Sequence, residues 1–328
     1  MTICSEQPIA EPRTGRVPDF FIVGSAKSGT TALYGMLRGH PQIYMPDNKE
    51  PWFLASELHV RTPRRPEGTP NTLEQYLSLF APADPQQRAG EASALYLWSH
   101  SAADAIAAVQ PAARIIAILR EPASFLRSLH MQFLVSYVET ETSFRKAIDL
   151  EEARREGRSI PKHSYWPLAL CYSDHVRYVE QLRRYHAAFP PEQVLVLIYD
   201  DFRRDNEATV RKVFRFLDVD PDQPVHEVEA NPSMQVRSPR LHGLIHALKV
   251  GRGPVSLTAK EAIKTLTPRQ LRHGVLRASK RRATSSELSP PDEEFMMELR
   301  RRFKPEVQAL SDYIDRDLVT LWGYDHIN

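Results

Sequence analysis

Cysteine is nearly missing from this chain: Cys4 and Cys171 are the only two in 328 residues. Two cannot build a disulfide framework, so a reducing compartment, the cytoplasm, is the simplest setting. Long apolar runs are also missing. The best, residues 114–119 and 194–199, are strand-sized and fall far short of the roughly 18 residues a membrane-spanning helix needs. The first 18 residues carry Glu6, Glu11 and three prolines instead of the apolar core of a secretory signal, and read as a flexible leading segment. There is no excess of one charge, since 43 Lys+Arg face 41 Asp+Glu for a net of +2. The twelve histidines show no H-E-x-x-H or Cys/His spacing, so no metal site is expected. Composition near the globular average, 42% hydrophobic and 26% charged, excludes collagen, a long coiled coil and wholesale disorder. No internal repeat stands out, and the length suits one or two domains.

What is there is a rhythm of short buried-type strands and longer helical stretches. Residues 19–24 (Asp-Phe-Phe-Ile-Val-Gly) are almost wholly apolar and end in glycine, the pattern of a strand covered on both faces. Residues 30–38 then place Ala32, Leu33, Met36 and Leu37 at helical spacing and stop at Gly39-His40-Pro41. Helix 103–109, strand 114–119, helix 125–137, helix 173–189, strand 194–199 and helix 206–217 follow, and residues 290–323 close with one or two helices. The alternation predicts an α/β protein, a central parallel sheet flanked by helices in three layers. Two stretches break the rhythm. Residues 139–162 are charged and weakly apolar, as in a helical insertion near the surface. Residues 231–284 hold twelve Lys or Arg against one acid, Glu261.

The loop Gly24-Ser-Ala-Lys-Ser-Gly-Thr-Thr31 joins the first strand to the first helix. A loop opening a helix presents unpaired backbone N–H groups at the positive end of the helix dipole, which makes a phosphate cradle. Gly29 permits close backbone approach, and Thr30 and Thr31 add hydroxyls. A Walker loop places lysine after the glycine. Here Lys27 precedes Gly29, so the order differs from that of a triphosphate loop. A second cluster, Leu119-Arg-Glu-Pro-Ala-Ser-Phe-Leu-Arg-Ser128, follows the 114–119 strand. It sets Arg120 at a strand's C-terminal end, where open parallel sheets collect ligands. Ser128 lies eight residues on, able to face the same anion as the guanidinium fork.

Lys27-Ser-Gly-Thr-Thr31 together with Arg120 and Ser128 resembles the two-part nucleotide signature of sulfotransferases that use 3′-phosphoadenosine-5′-phosphosulfate (PAPS). Asn48-Lys-Glu-Pro-Trp-Phe53 is similar to the Lys-Glu-Pro-His-Phe segment of heparan-sulfate-type and bacterial members. Gly90-Glu-Ala-Ser-Ala-Leu-Tyr96, residues 194–202 and Tyr313-Ile-Asp-Arg-Asp-Leu318 also match family segments. The resemblance implies a P-loop-like fold and one domain over residues 19–328, with residues 139–166 as an insertion and 231–284 as a basic segment within it. It implies PAPS as sulfuryl donor, 3′-phosphoadenosine-5′-phosphate (PAP) as product, and no metal. Lys27, Ser28, Gly29, Thr30 and Thr31 would hold the 5′-phosphate, and Arg120 and Ser128 the 3′-phosphate. Glu50 would be the base, Lys27 would stabilise the leaving group, and Lys49 would support Glu50 or contact the sulfuryl group. Arg281 or Arg282, in the place of a late basic loop, would clamp the 3′-phosphate.

Two positions depart from the family pattern: Trp52 stands where histidine is usual, and Phe125 where a second arginine is common. Trp52 fits an aromatic wall for the acceptor, as do Tyr96, His163, Tyr165 and Trp166. The acceptor itself, a small-molecule, lipid or carbohydrate hydroxyl or amine, is not written in the sequence, and neither is the oligomeric state. Aromatic residues are missing from residues 231–284, which argues against base-stacking recognition of nucleic acid. Two other readings stand beside the enzyme: a nucleotide kinase of similar architecture, and a basic anion-binding protein that keeps the fold without catalysis.

Overall fold

The computed structural model describes residues 15–58, 69–162, 164, 166–226, 235–236, 284–285 and 290–327. In chain order these form β1 (Phe20–Gly24), α1 (Thr30–Arg38), β2 (Ile43–Tyr44), α2 (Leu73–Ser78), β3 (Arg88–Ala92), α3 (Ala102–Val109), β4 (Arg114–Leu119), α4 (Pro122–Ser136), α5 (Phe144–Asp149) and α6 (Glu151–Arg155). Then come α7 (Tyr178–Ala188), β5 (Val194–Ile198), α8 (Tyr199–Arg204), α9 (Asn206–Phe216), the two-residue strands β6 (Gln235–Val236) and β7 (Thr284–Ser285), α10 (Glu293–Tyr313) and α11 (Leu318–Leu321). Five strands make one sheet in the order β2-β3-β1-β4-β5, and every neighbouring pair is parallel.

Alternation along the strands explains the layers. Phe21, Val23, Ile115, Ala117 and Leu119 point to one face, where helices α3, α4, α7 and α10 pack on them. Phe20, Ile22, Ile116 and Ile118 point to the other, covered by α1 and α9. Successive strand side chains lie on opposite faces, so a fully apolar strand must be covered on both. Each large side chain buried this way contributes roughly 1.5–3 kcal/mol. The three-layer, P-loop-like architecture is thus the direct result of two runs, Phe20–Gly24 and Arg114–Leu119.

The sheet also fixes where ligands can bind. β1 has β3 on one side and β4 on the other, so the chain changes direction across the sheet there, and the carboxyl ends of β1 and β4 open into a crevice. Residues 25–29 and Arg120 both leave from those ends.

Several elements differ from the sequence expectation. β3, Arg-Ala-Gly-Glu-Ala, has no apolar run to announce it; it is small-sided because a Cβ on Gly90 would stand 2.1 Å from the Phe20 ring. α4 begins at Pro122, three residues earlier than the apolar pattern suggests, because Glu121 accepts from the N–H groups of Ala123 and Ser124 and caps it. The expected helix from residue 173 divides: residues 172–176 form a 3₁₀ turn and α7 starts at Tyr178. The insertion is not a surface feature throughout. Glu139 and Arg154 pair at 2.8 Å with both side chains essentially inaccessible. Of the leading segment, residues 15–18 are described, and Arg16 ties them down through Asp19 at 3.1 Å and the Asp84 carbonyl. Residues 1–14 lie outside the described residues, as does the basic segment apart from β6 and β7.

Candidate active site

A cavity of about 550 Å³ opens at the carboxyl ends of β1 and β4. Its floor is the loop that launches α1. Lys27 adopts φ 65° and Gly29 φ 85°, left-handed backbone that turns the chain sharply into the helix. At Gly29 a side chain is excluded twice over, by that φ and by the Phe202 ring, 2.9 Å from where a Cβ would sit. No side chain among the described residues caps the first turn of α1, so its N–H groups remain available to an anion. Thr30 and Thr31 line the cavity beside Lys27. Burial, with Arg120 nearby, pushes the Lys27 ammonium below its ordinary pKa. Ser28 is fully buried and does not line the cavity; its hydroxyl has no hydrogen-bond partner among the described residues.

Across the cavity lies Glu50. Its Oε1 meets Lys49 Nζ at 3.2 Å, and its Oε2 accepts from the Trp52 indole N–H at 2.8 Å and from the Ala94 N–H at 3.3 Å. Lys49 itself does not line the cavity, although its ammonium lies 5.9 Å from the centre of the Tyr34 ring. Trp52 does line it, and meets Trp166 edge-on with ring centres 4.9 Å apart. The tryptophan that replaces the usual histidine therefore still presents an N–H to the carboxylate, and forms an aromatic wall with Trp166.

Arg120 forms the back wall. Its Nη1 donates to the Lys27 carbonyl at 2.9 Å, and its guanidinium lies over the Tyr199 ring at 4.9 Å. Behind it a second cavity of about 230 Å³ is lined by Arg120, Ser124, Arg127, Ser128 and, from α10, Arg300 and the carboxylate Glu293, together with apolar side chains. Arg120 lines both cavities. Ser128 is buried, yet its Oγ has no hydrogen-bond partner among the described residues. Arg300 Nε stands 3.7 Å from Glu121 Oε1, an ion pair too long for a hydrogen bond. The cavity thus sets three arginines and one carboxylate around a buried hydroxyl that has no partner among the described residues, donors of the kind that suit an anion.

The sequence profile described as "Sulfotransferase family" matches residues 18–223, well over half the chain and every element that lines the larger cavity, while α10, which contributes to the smaller one, lies beyond it. The protein belongs to the sulfotransferase family. It is 26% identical to human carbohydrate sulfotransferase 15 over 68% of its own length and 48% of that protein's. It is 28% identical to human bifunctional heparan sulfate N-deacetylase/N-sulfotransferase 3, over 64% of this chain and 23% of that protein. The chain spans about half the length or less of these curated relatives. Among solved structures, a sulfotransferase from Alicyclobacillus acidocaldarius matches with a TM-score of 0.65 and 25% identity, over 93% of this chain and 98% of that one.

Of the residues expected in the site, Lys27, Gly29, Thr30, Thr31, Glu50, Trp52, Arg120 and Trp166 line the larger cavity and Ser128 the smaller. Tyr96 does not. It is fully buried beneath the Glu50 loop, with its hydroxyl accepting from the Leu54 N–H at 3.0 Å. Phe125 is buried in the core and away from both cavities. Arg281, Arg282, His163 and Tyr165 lie outside the described residues. Sequence reading missed Arg127 and Arg300, as well as Gln132 and Ser136, which project from α4 into the larger cavity. The signal for the last two was their i, i+4 spacing beyond Ser128, which puts all three on one side of the helix.

Proposed function

We propose that this chain transfers a sulfuryl group from PAPS to a hydroxyl or amine of a small-molecule, lipid or carbohydrate acceptor, releasing PAP. The observation that carries the reading is the pair of anion-suited cavities sharing Arg120. One has the open helix N-terminus of α1, and the other has the Ser128 hydroxyl, which has no partner among the described residues. A nucleotide with one phosphate satisfies one of them; a nucleotide phosphorylated at both ends of its ribose satisfies both.

PAPS supplies an activated sulfuryl group whose departure leaves a phosphate anion. The chain's own residues then divide the work. Lys27 and the first turn of α1 offer donors where that negative charge grows. Glu50 faces the same cavity with one oxygen fixed by Trp52 and Ala94, placed to take the acceptor's proton. Trp52 and Trp166 provide flat apolar walls against which an acceptor is held and water is excluded. The Lys-before-glycine order counts against the kinase reading. A cytoplasmic setting belongs to this proposal as well. The described residues include no helix long and apolar enough to cross a membrane, and cell fractionation tests the setting.

The test is a comparison of PAP with AMP by calorimetry. PAP should bind about 10- to 100-fold more tightly, the worth of one well-paired phosphate, and Arg120→Ala should erase most of that preference. Equal affinities would sink the donor assignment. With radiolabelled PAPS and a panel of hydroxyl compounds, Glu50→Gln should bind PAP normally and lose about 100-fold or more in turnover. Unchanged turnover would remove Glu50 as the base.

A further inference from the structure

Glu91 lies on β3, outside both cavities, and is 1% exposed. A carboxyl in a strand interior needs a reason, since burial of a charge is costly unless hydrogen bonds repay it. Two phenols converge on it, with Ser93 beside them. Tyr76 donates to Oε2 at 2.5 Å and Tyr96 donates to the same oxygen at 3.3 Å, while the nearby Ser93 hydroxyl favours the charged carboxyl.

Each of these three residues supports one of the three consecutive residues after Pro51 in the loop that carries Glu50. The Trp52 N–H donates to Ser93 Oγ at 3.2 Å. The Phe53 ring stacks on Tyr76 with centres 4.8 Å apart and planes 15° from parallel. The Leu54 N–H donates to the Tyr96 hydroxyl at 3.0 Å. Trp52 in turn holds Glu50 Oε2, and Ala94, next to Ser93, holds the same oxygen.

We propose that Glu91 is the positioning residue for the catalytic base: by orienting Tyr76, Ser93 and Tyr96, it fixes Trp52, Phe53 and Leu54, and through Trp52 the Glu50 carboxylate. The inference rests on the reading of Glu50 as base. It goes beyond that reading because Glu91 touches neither cavity. Burial and the neighbouring Glu50 charge both lift the Glu91 carboxyl towards its neutral form. The network is therefore one that an amide can replace: Gln keeps an acceptor oxygen for the hydroxyls, and its NH₂ occupies the place of Oε1, which has no partner among the described residues.

The experiment compares Glu91→Gln, Glu91→Ala and Tyr96→Phe, each alone and in the Glu50→Gln background, reading kcat, PAP affinity and melting temperature. In the otherwise wild-type chain, Glu91→Ala should lower kcat about 30-fold or more with PAP affinity within about twofold, and Tyr96→Phe should lower it less, since it removes one of the two hydroxyls bonded to Glu91 and leaves the other. Glu91→Gln should restore kcat to within about fivefold of wild type. In the Glu50→Gln background Glu91→Ala should cost little further, because a misplaced base and an absent one are equivalent. Glu91→Ala with unaltered kcat, or with kcat and PAP affinity falling together, or with an undiminished loss when Glu50 is already Gln, overturns the proposal. If Glu50→Gln itself turns over normally, it is the base assignment that fails, and the two failures are told apart by that arm. Should Glu91→Ala not fold, Tyr96→Phe and the Gln variant carry the same comparison.

Discussion

At the scale of single residues, Glu91 has a consequence for stability that follows from its surroundings. Burial raises its carboxyl from 4.5 to about 7, with Glu50 adding to the rise. Tyr76 and Tyr96 face it as neutral phenols, their own values pushed up by burial and by Glu91. The folded chain thus binds a proton here that the unfolded chain releases above pH 4.5. The contribution of this group is fully favourable below about pH 4.5, declines between 4.5 and 7, and is constant above 7. Over that span the loss is about 3 kcal/mol. Glu91→Gln has no proton to lose. Urea unfolding at pH 5 and pH 8 should show the variant gaining on wild type as pH rises; a pH-independent difference would mean that Glu91 titrates like an exposed carboxylate. Neither Glu91 nor Arg300 stood out in the sequence, whereas Lys27, Gly29 and Arg120 did. The latter sit at strand ends in loops, where polar residues interrupt apolar runs. Glu91 hides among small residues in a strand that has no apolar pattern, and Arg300 is one of three adjacent arginines on a helix otherwise read as amphipathic.

At the scale of elements, α5 and α6 are held to the core by a polar device. Arg154 from α6 pairs with Glu139 at 2.8 Å, and the two side chains are 1% and 0% exposed. Tyr172 donates to Glu139 at 3.2 Å, and Arg154 Nη1 donates to the Ala147 carbonyl at 3.2 Å. Removing one partner strands a buried charge, so Arg154→Ala should cost about 3–5 kcal/mol of unfolding free energy. The double change Arg154→Met with Glu139→Gln should cost much less, since no bare charge is left. Equal losses from the single and double variants in urea titrations would show that packing, not charge, holds α6. The charged composition of this stretch read as solvated surface because a sequence records how many charges there are and not which of them meet. By contrast β1, β4, α1 and α9 were legible almost to the residue, because apolar periodicity is set by the same packing that forms them. The 3₁₀ turn before α7 was not. There Glu151 accepts from both the Ser173 N–H and hydroxyl, and His175 bonds the Ala169 carbonyl at 2.8 Å, tertiary contacts that override a helical pattern.

At the scale of the whole molecule, the site draws on the first strand-to-helix loop, the middle of the chain and its last long helix. Arg300 reaches the smaller cavity from α10, which packs against α4 and α7. Tyr324, beyond α11, donates to Glu121 at 2.6 Å, on the residue that caps the helix bearing Ser128. The chain's C-terminal part therefore completes the smaller cavity by contributing a cation and by fixing the cap of α4. Two measurements separate these contributions. Arg300→Ala should weaken PAP binding about 3- to 30-fold and leave AMP binding nearly unchanged, because AMP has no phosphate for the cavity behind Arg120. Ligand linkage supplies the second readout. PAP at 100 times its dissociation constant should stabilise the wild-type chain by about 2.7 kcal/mol, and the same PAP concentration should stabilise Arg300→Ala by about 0.6–1.9 kcal/mol less, in step with its 3- to 30-fold weaker binding. If Arg300→Ala weakened AMP and PAP alike, α10 would be acting through the general shape of the crevice, and the division of labour between the two cavities would be lost.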